Sequence, residues 1–207
     1  MLVRADSDIR GISDLRGKRV ATIRGSILDV PLRHSLHQSG LDPEKDVELV
    51  YFTKLGDMLQ ALKTDQVDAA SNTEPFMTQA VRQDWGRIIC YYSDSWPDHP
   101  CCVLFIGDDL IEEEPQLAQG IVRAHVRAVS YANDHQRETA ETIVEYLDAF
   151  DVDLVLASLA PEKMRIDYQI DRDETDRMAS LMFQYGLIER LPQSEELLDL
   201  SFLEALR

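Results

Sequence analysis

The sequence predicts an α/β fold: a parallel sheet flanked by helices, followed by C-terminal helices. Three observations carry that expectation. Short β-branched runs alternate with segments of helical period through the first 92 residues. The connections between them are short, as a parallel sheet with covering helices requires. Beyond residue 114 only helical period remains. At 207 residues the chain is long enough to bury a core of its own.

The elements follow in order. Met1–Arg4 is an apolar, strand-like run. Lys18–Ile23 reads as a short buried strand ending at Arg24-Gly25-Ser26. A helix then runs to Ser39-Gly40, because Leu28, Leu32 and Leu36 recur one turn apart, Pro31 is tolerated in a first turn, and Gly40 closes it. Val47–Phe52 is the next strand, entered through Asp42-Pro43. Leu55, Met58, Leu59 and Leu62 share one face of a short helix. Val67–Ala70 is a third strand, Glu74-Pro75-Phe76 open another helix, and Arg87–Tyr92 is a fourth strand. Cys102–Gly107 is apolar and strand-like, a natural second hinge strand beside Met1–Arg4. A long helix starts at Pro115 and reaches about Asn133. Amphipathic helices over 137–148, 151–159, 172–186 and 194–206 complete the chain, with Gly186 and Pro192 between the last two.

Charge excludes some function classes. Thirty-eight acids against 21 bases give a net charge of −17, which opposes nucleic acid and anionic membrane surfaces as partners. No run approaches the roughly 18 apolar residues of a membrane span. The N-terminal stretch has no apolar core of a secretion signal. Cys90, Cys101 and Cys102 make no disulfide framework and are expected as buried or partly buried thiols.

Several segments, read in order, resemble the nitrate/sulfonate/taurine-type solute-binding proteins of ABC importers, a type II periplasmic-binding-protein family. Leu2-Val3-Arg4 with Ile12-Ser13-Asp14-Leu15-Arg16-Gly17-Lys18-Arg19-Val20-Ala21 is similar to the family's hinge strand and the "DLKGK" approach to its second lobe. Gly25-Ser26, Gly40-Leu41, and Ala61-Leu62 with Val67-Asp68-Ala69-Ala70 follow its pattern. Glu74-Pro75-Phe76 matches its helix-opening turn, and Ile111 to Pro115 its approach to the C-terminal helices.

The resemblance implies that residues 1–135 form the hinge strands and second α/β lobe of a two-lobed binding protein. Residues 136–207 would be C-terminal helices that pack on a first lobe missing from this chain. That lobe, of about 80–100 residues, would sit on the same or a separate polypeptide. The implied function is capture of a small anionic or zwitterionic solute for a membrane permease subunit, outside the cytoplasmic membrane, with no catalysis and no cofactor. Two alternatives stand beside it. A one-lobed ligand sensor would have shed transport. An enzyme similar to the thiamine-pyrimidine synthases shares the fold, and Pro100-Cys101-Cys102-Val103-Leu104-Phe105 resembles their "CCCFC" segment with only two cysteines.

Ligands of an open parallel sheet sit beyond the carboxyl ends of its strands. Two loops qualify. In the first, Gly25 would bring backbone amides near an anion, Ser26 adds a hydroxyl, and Ile27 follows. In the second, Asn72 and Thr73 offer hydrogen bonds to a polar solute, and Glu74 charges or caps the next helix. Trp96 is expected to wall the cleft. The plain structural alternatives are a capped turn at Gly25-Ser26, an N-cap run before Pro75, and a rigid loop around Trp96-Pro97. No metal site is expected: His34 with His37, and His99 with Cys101 and Cys102, fit no standard spacing. His125 lies among apolar positions and reads as a core histidine.

Overall fold

A computed structural model describes residues 1–147 and 149–206. It divides into two compact units, Met1–His99 with Ser180–Glu189, and Pro100–Ala179 with Arg190–Arg207.

The first unit realises the expected alternation. Its elements are β1 (Leu2–Arg4), β2 (Arg19–Thr22), α1 (Val30–Gln38), β3 (Glu48–Tyr51), α2 (Leu55–Lys63), β4 (Ala69–Ala70), α3 (Phe76–Arg82) and β5 (Gly86–Ile88). The sheet order is β3-β2-β4-β1-β5. β2 runs parallel to β3 and β4, while β1 is antiparallel to both β4 and β5. Four strands therefore point one way and β1 alone runs against them. The reason is connectivity: only a short 3-10 turn, Ile12–Leu15, and no α-helix covers the step from β1 to β2, so β1 is free of the handed crossover that makes neighbours parallel.

Both faces of the sheet are buried, and the period-2 alternation assigns each residue to a layer. Val3, Val20 and Ala69 face the cluster formed with Leu32 and Leu36 of α1. Leu2, Ala21 and Ala70 face the other, with Met58 and Leu62 of α2 and Ala80 of α3. Two-sided burial explains why these strands read as continuous apolar runs.

Helix α1 ends as its sequence predicts. Gly40 has φ +75°, its amide donates to the His37 carbonyl, and Leu41 N–H reaches back to the Leu36 carbonyl. That is a Schellman closure, sealed by the joint burial of Leu36 and Leu41. At the far edge, β5 and α3 touch closely: a methyl group on Gly86 would lie 2.6 Å from Cβ of Ala80 and 3.2 Å from Cδ1 of Leu2. Gly86→Ala is expected to destabilise the protein by about 1–3 kcal/mol through overpacking. A urea midpoint equal to that of the parent chain would refute this reading of the α3–β5 contact.

The second unit is helical: α4 (Asp108–Glu113), α5 (Pro115–Asp134), α6 (Gln136–Tyr146), α7 (Val152–Ser158), the part of α8 (Arg172–Gln184) up to Ala179, α9 (Ser194–Leu197) and α10 (Ser201–Glu204). α5 packs against α4, α6 and α10, and α6 against α7. Asp151 caps α7 by accepting from Leu154 N–H at 2.7 Å. Gln119 on α5 donates to the Phe202 carbonyl at 2.8 Å.

The structure departs from several expectations. Cys102–Gly107 is not a strand, because no neighbouring strand supplies its ladder; Val103, Leu104 and Phe105 are exposed along it. The two compact units divide after His99, inside the span 1–135, and α5 packs with helices. The fourth predicted strand stops at Ile88, and Tyr92–Asp94 form a short 3-10 turn that buries Tyr92. His125 is half-buried, and Cys101 and Cys102 are exposed; only Cys90 is partly buried as expected.

Candidate functional site

The parallel pair β2 and β4 sets the site. Their register aligns Ala21 with Ala70, and Ser71 N–H extends the ladder to the Ala21 carbonyl at 2.8 Å. The loops that leave these strands, 23–29 and 71–76, therefore emerge side by side at the carboxyl end. Ser71 ties them together: its buried hydroxyl donates to the Leu28 carbonyl at 2.6 Å and also meets the Tyr92 hydroxyl. Burial pushes the Tyr92 phenol far above its ordinary pKa, so it stays protonated.

In the first loop Gly25 takes the left-handed conformation, φ +68°, that its residue type permits. Its amide is not free for an anion. It donates to Oδ2 of Asp29 at 2.8 Å, and Asp29 is fully buried. Ser26 is spent as well: its hydroxyl donates to the Ile23 carbonyl at 2.7 Å and accepts from Leu28 N–H at 3.0 Å. The Ile27 amide, by contrast, carries no hydrogen bond among the described residues.

Behind this loop lies an ionic network that reading the sequence missed. Oδ1 of Asp29 accepts from Nε of Arg33 at 2.8 Å, one helical turn along α1, and both residues are buried. Arg33 also donates to Glu44 through Nη1 and to the Tyr51 hydroxyl through Nη2, the latter at 2.7 Å. Desolvation works against the Arg33 charge, but Glu44 and Asp29 more than offset it, so its pKa is raised and it stays a cation. Only the i, i+4 spacing of Asp29 and Arg33 hinted at this pair, and that spacing suits an exposed helix face equally well. Arg24, in contrast, is exposed and lies over the Tyr51 ring, 5.4 Å from its centroid.

In the second loop, Asn72 is buried and committed: Nδ2 donates to the Leu55 carbonyl at 3.2 Å, and Oδ1 accepts from Thr73 N–H at 2.8 Å. Glu74 accepts from Thr78 N–H at 3.0 Å and from the Tyr91 hydroxyl at 3.0 Å, which makes it a brace for α3. The half-buried Thr73 hydroxyl has no hydrogen-bonding partner among the described residues. Nor has Oγ1 of Thr22, fully buried at the end of β2. Two hydroxyls and one amide are thus unspent near one strand end, where buried polar groups are normally paired.

Trp96 stands apart from these loops. It is 1% exposed, packed edge-on against His34 at 5.5 Å between ring centroids and tilted against His99 at 5.9 Å. No ring face is left to wall a cleft in this unit. An open cavity of about 550 Å³ also lies elsewhere, lined by Arg33, His37, Leu41, Glu44, Gln184 and Tyr185. Among the described residues no three His, Cys, Asp or Glu side chains converge as a metal site would require.

The model of the NMT1-like family matches residues 7–148. A nitrate/nitrite binding protein, NrtA of a Nostoc species, is 28% identical over 129 residues, 62% of this chain and 29% of that protein. The chain spans between 22% and 29% of the length of the first curated relatives it matches. Among solved structures, the periplasmic aliphatic sulphonate binding protein SsuA of Escherichia coli superposes with a TM-score of 0.73 at 20% identity, covering 92% of this chain and 61% of that one. The desulfurization enzyme DSZB shares the fold, with a TM-score of 0.67 at 17% identity over 100% of this chain and 76% of that one. These likenesses bear out the α/β type II binding-protein fold and the resemblance read from the sequence motifs.

Proposed function

The chain belongs to the NMT1-like family, and from that premise we propose that it serves as solute-binding component of an ABC importer. The solute is small and anionic or zwitterionic, of the nitrate, bicarbonate, sulfonate or taurine kind. One observation carries the reading: the Ile27 amide and the Thr73 hydroxyl stand unspent on two loops that Ser71 holds together at the carboxyl ends of β2 and β4. Donors without protein partners, set by a rigid sheet, are what a hydrogen-bonding site for an oxyanion needs. The already satisfied Gly25 amide, Ser26, Asn72 and Glu74 then act as the frame, and Trp96 as packing behind it.

In this reading the solute is closed in by a further lobe, and the complex docks on a permease outside the cytoplasmic membrane. The exposed Val103, Leu104 and Phe105 are then surface for the rest of a two-lobed protein. No helix among the described residues is long and apolar enough to cross a membrane. Binding is favoured over catalysis because the curated relatives include nitrate/nitrite- and bicarbonate-binding proteins. Iron content of the purified protein separates it from the pyrimidine-synthase alternative.

The test is a titration of the chain with nitrate, bicarbonate, taurine and an alkanesulfonate, followed by calorimetry and thermal shift. One class is expected to bind, and Thr73→Val is expected to weaken it about 10- to 100-fold, the loss of a hydrogen bond to a charged group. The variant should keep the parent unfolding midpoint, since Thr73 gives up no internal bond. Equal affinity in the variant would sink the proposal, as would no binding once the chain is joined to its further lobe.

A further inference from the structure

Two thiols in the second unit serve neither the fold nor the candidate site. Cys101 and Cys102 are adjacent, both exposed, and their sulfurs lie 3.5 Å apart. A disulfide needs about 2.05 Å, and neighbours in sequence reach it only with strain. Desolvation of the Cys101 sulfur, and next the Cys102 thiol beside it, push the Cys101 thiol up to about 12.

The donor set narrows the ligand class. Among the described residues no third His, Cys, Asp or Glu completes a group that could hold a metal ion. Two sulfurs alone fall short of the four ligands of structural zinc. They suit a centre that takes two thiols side by side and brings its remaining substituent with it. Cys90, the other cysteine, is a single, partly buried thiol whose pKa is raised by burial.

We propose that Cys101 and Cys102 form a vicinal dithiol site for trivalent, thiophilic arsenic compounds. With an organoarsenic oxide, two arsenic–sulfur bonds form and the arsenic–oxygen bond breaks. The two thiol protons leave with the oxygen as one water, and no electrons are transferred. The second bond closes within one site, so the adduct should resist competing single thiols.

The experiment uses the full chain and phenylarsine oxide, read by intact mass. One bridging adduct per chain is expected, surviving excess 2-mercaptoethanol and removed by ethanedithiol. Cys101→Ser and Cys102→Ser should each lower retention against the monothiol by about tenfold or more, because the intramolecular bond is lost. Cys90→Ser should leave retention unchanged, and circular dichroism checks that each variant is folded. Retention that is the same in either serine variant, or an adduct stripped by 2-mercaptoethanol, overturns the proposal. So does a parent chain isolated two hydrogens light and inert to the probe, which would mark a vicinal disulfide.

Discussion

Arg33→Ala is expected to cost about 3–5 kcal/mol of folding stability, the penalty for stranding a buried charge. Arg33 is 1% exposed, and its guanidinium reaches Asp29, Glu44 and Tyr51 at once. Its loss leaves the Asp29 carboxylate, itself fully buried, with the Gly25 amide as its remaining hydrogen-bond donor among the described bonds. Asp29→Ala should be comparably damaging, since it strands the cation instead. The double variant should be less destabilised than the sum of the two, with a coupling of about 0.5–3 kcal/mol. Urea unfolding of the four proteins measures this cycle. A single-variant loss below about 1 kcal/mol would show that the pair is solvated and that the burial argument fails.

The same pair links stability to the site. Asp29 holds Gly25 in the left-handed turn, and Arg33 holds Asp29. Solute affinity in either variant should therefore fall along with stability, whereas Thr73→Val should lower affinity alone. That contrast distinguishes a frame residue from a contact residue. It also explains why Gly25 and Ser26 look like ligand contacts in sequence. The turn needs glycine and a hydroxyl for its own closure, and those residue types are also the ones an anion site uses.

What was legible in the sequence follows from local physics. The strand–helix alternation and the Gly40 stop of α1 rest on periodicity and backbone conformation, which neighbours in sequence determine. The direction of β1 was not legible, because it depends on which strands flank it in space. Cys102–Gly107 has strand composition, yet composition cannot supply a partner ladder, and the segment stays unpaired among the described residues. The two loops do follow β2 and β4, as periodicity predicts, but their satisfied and unsatisfied groups could not be told apart. Ser26 and Thr73 carry the same functional group, and only the three-dimensional hydrogen bonding separates the spent hydroxyl from the free one.

Trp96 shows the same limit at larger scale. An aromatic residue in a Pro-rich loop beside a presumed cleft invites a ligand role, but its surroundings argue for packing. Its backbone N–H donates to the Tyr92 carbonyl at 2.8 Å, and its backbone carbonyl accepts from Nδ1 of His99 at 2.9 Å. The indole is enclosed against His34 of α1, on the helix that also carries Arg33. Trp96→Ala is therefore expected to lose about 3–5 kcal/mol of stability, and Trp96→Phe clearly less, since a ring still fills most of the space. Under conditions where both variants remain folded, solute affinity should match the parent chain. A cleft-facing Trp96 predicts the reverse pattern, with affinity lost and the unfolding midpoint kept. Denaturation and titration of the same two variants thus decide between wall and core, because a fully enclosed ring contributes dispersion and burial to the fold without touching the solute.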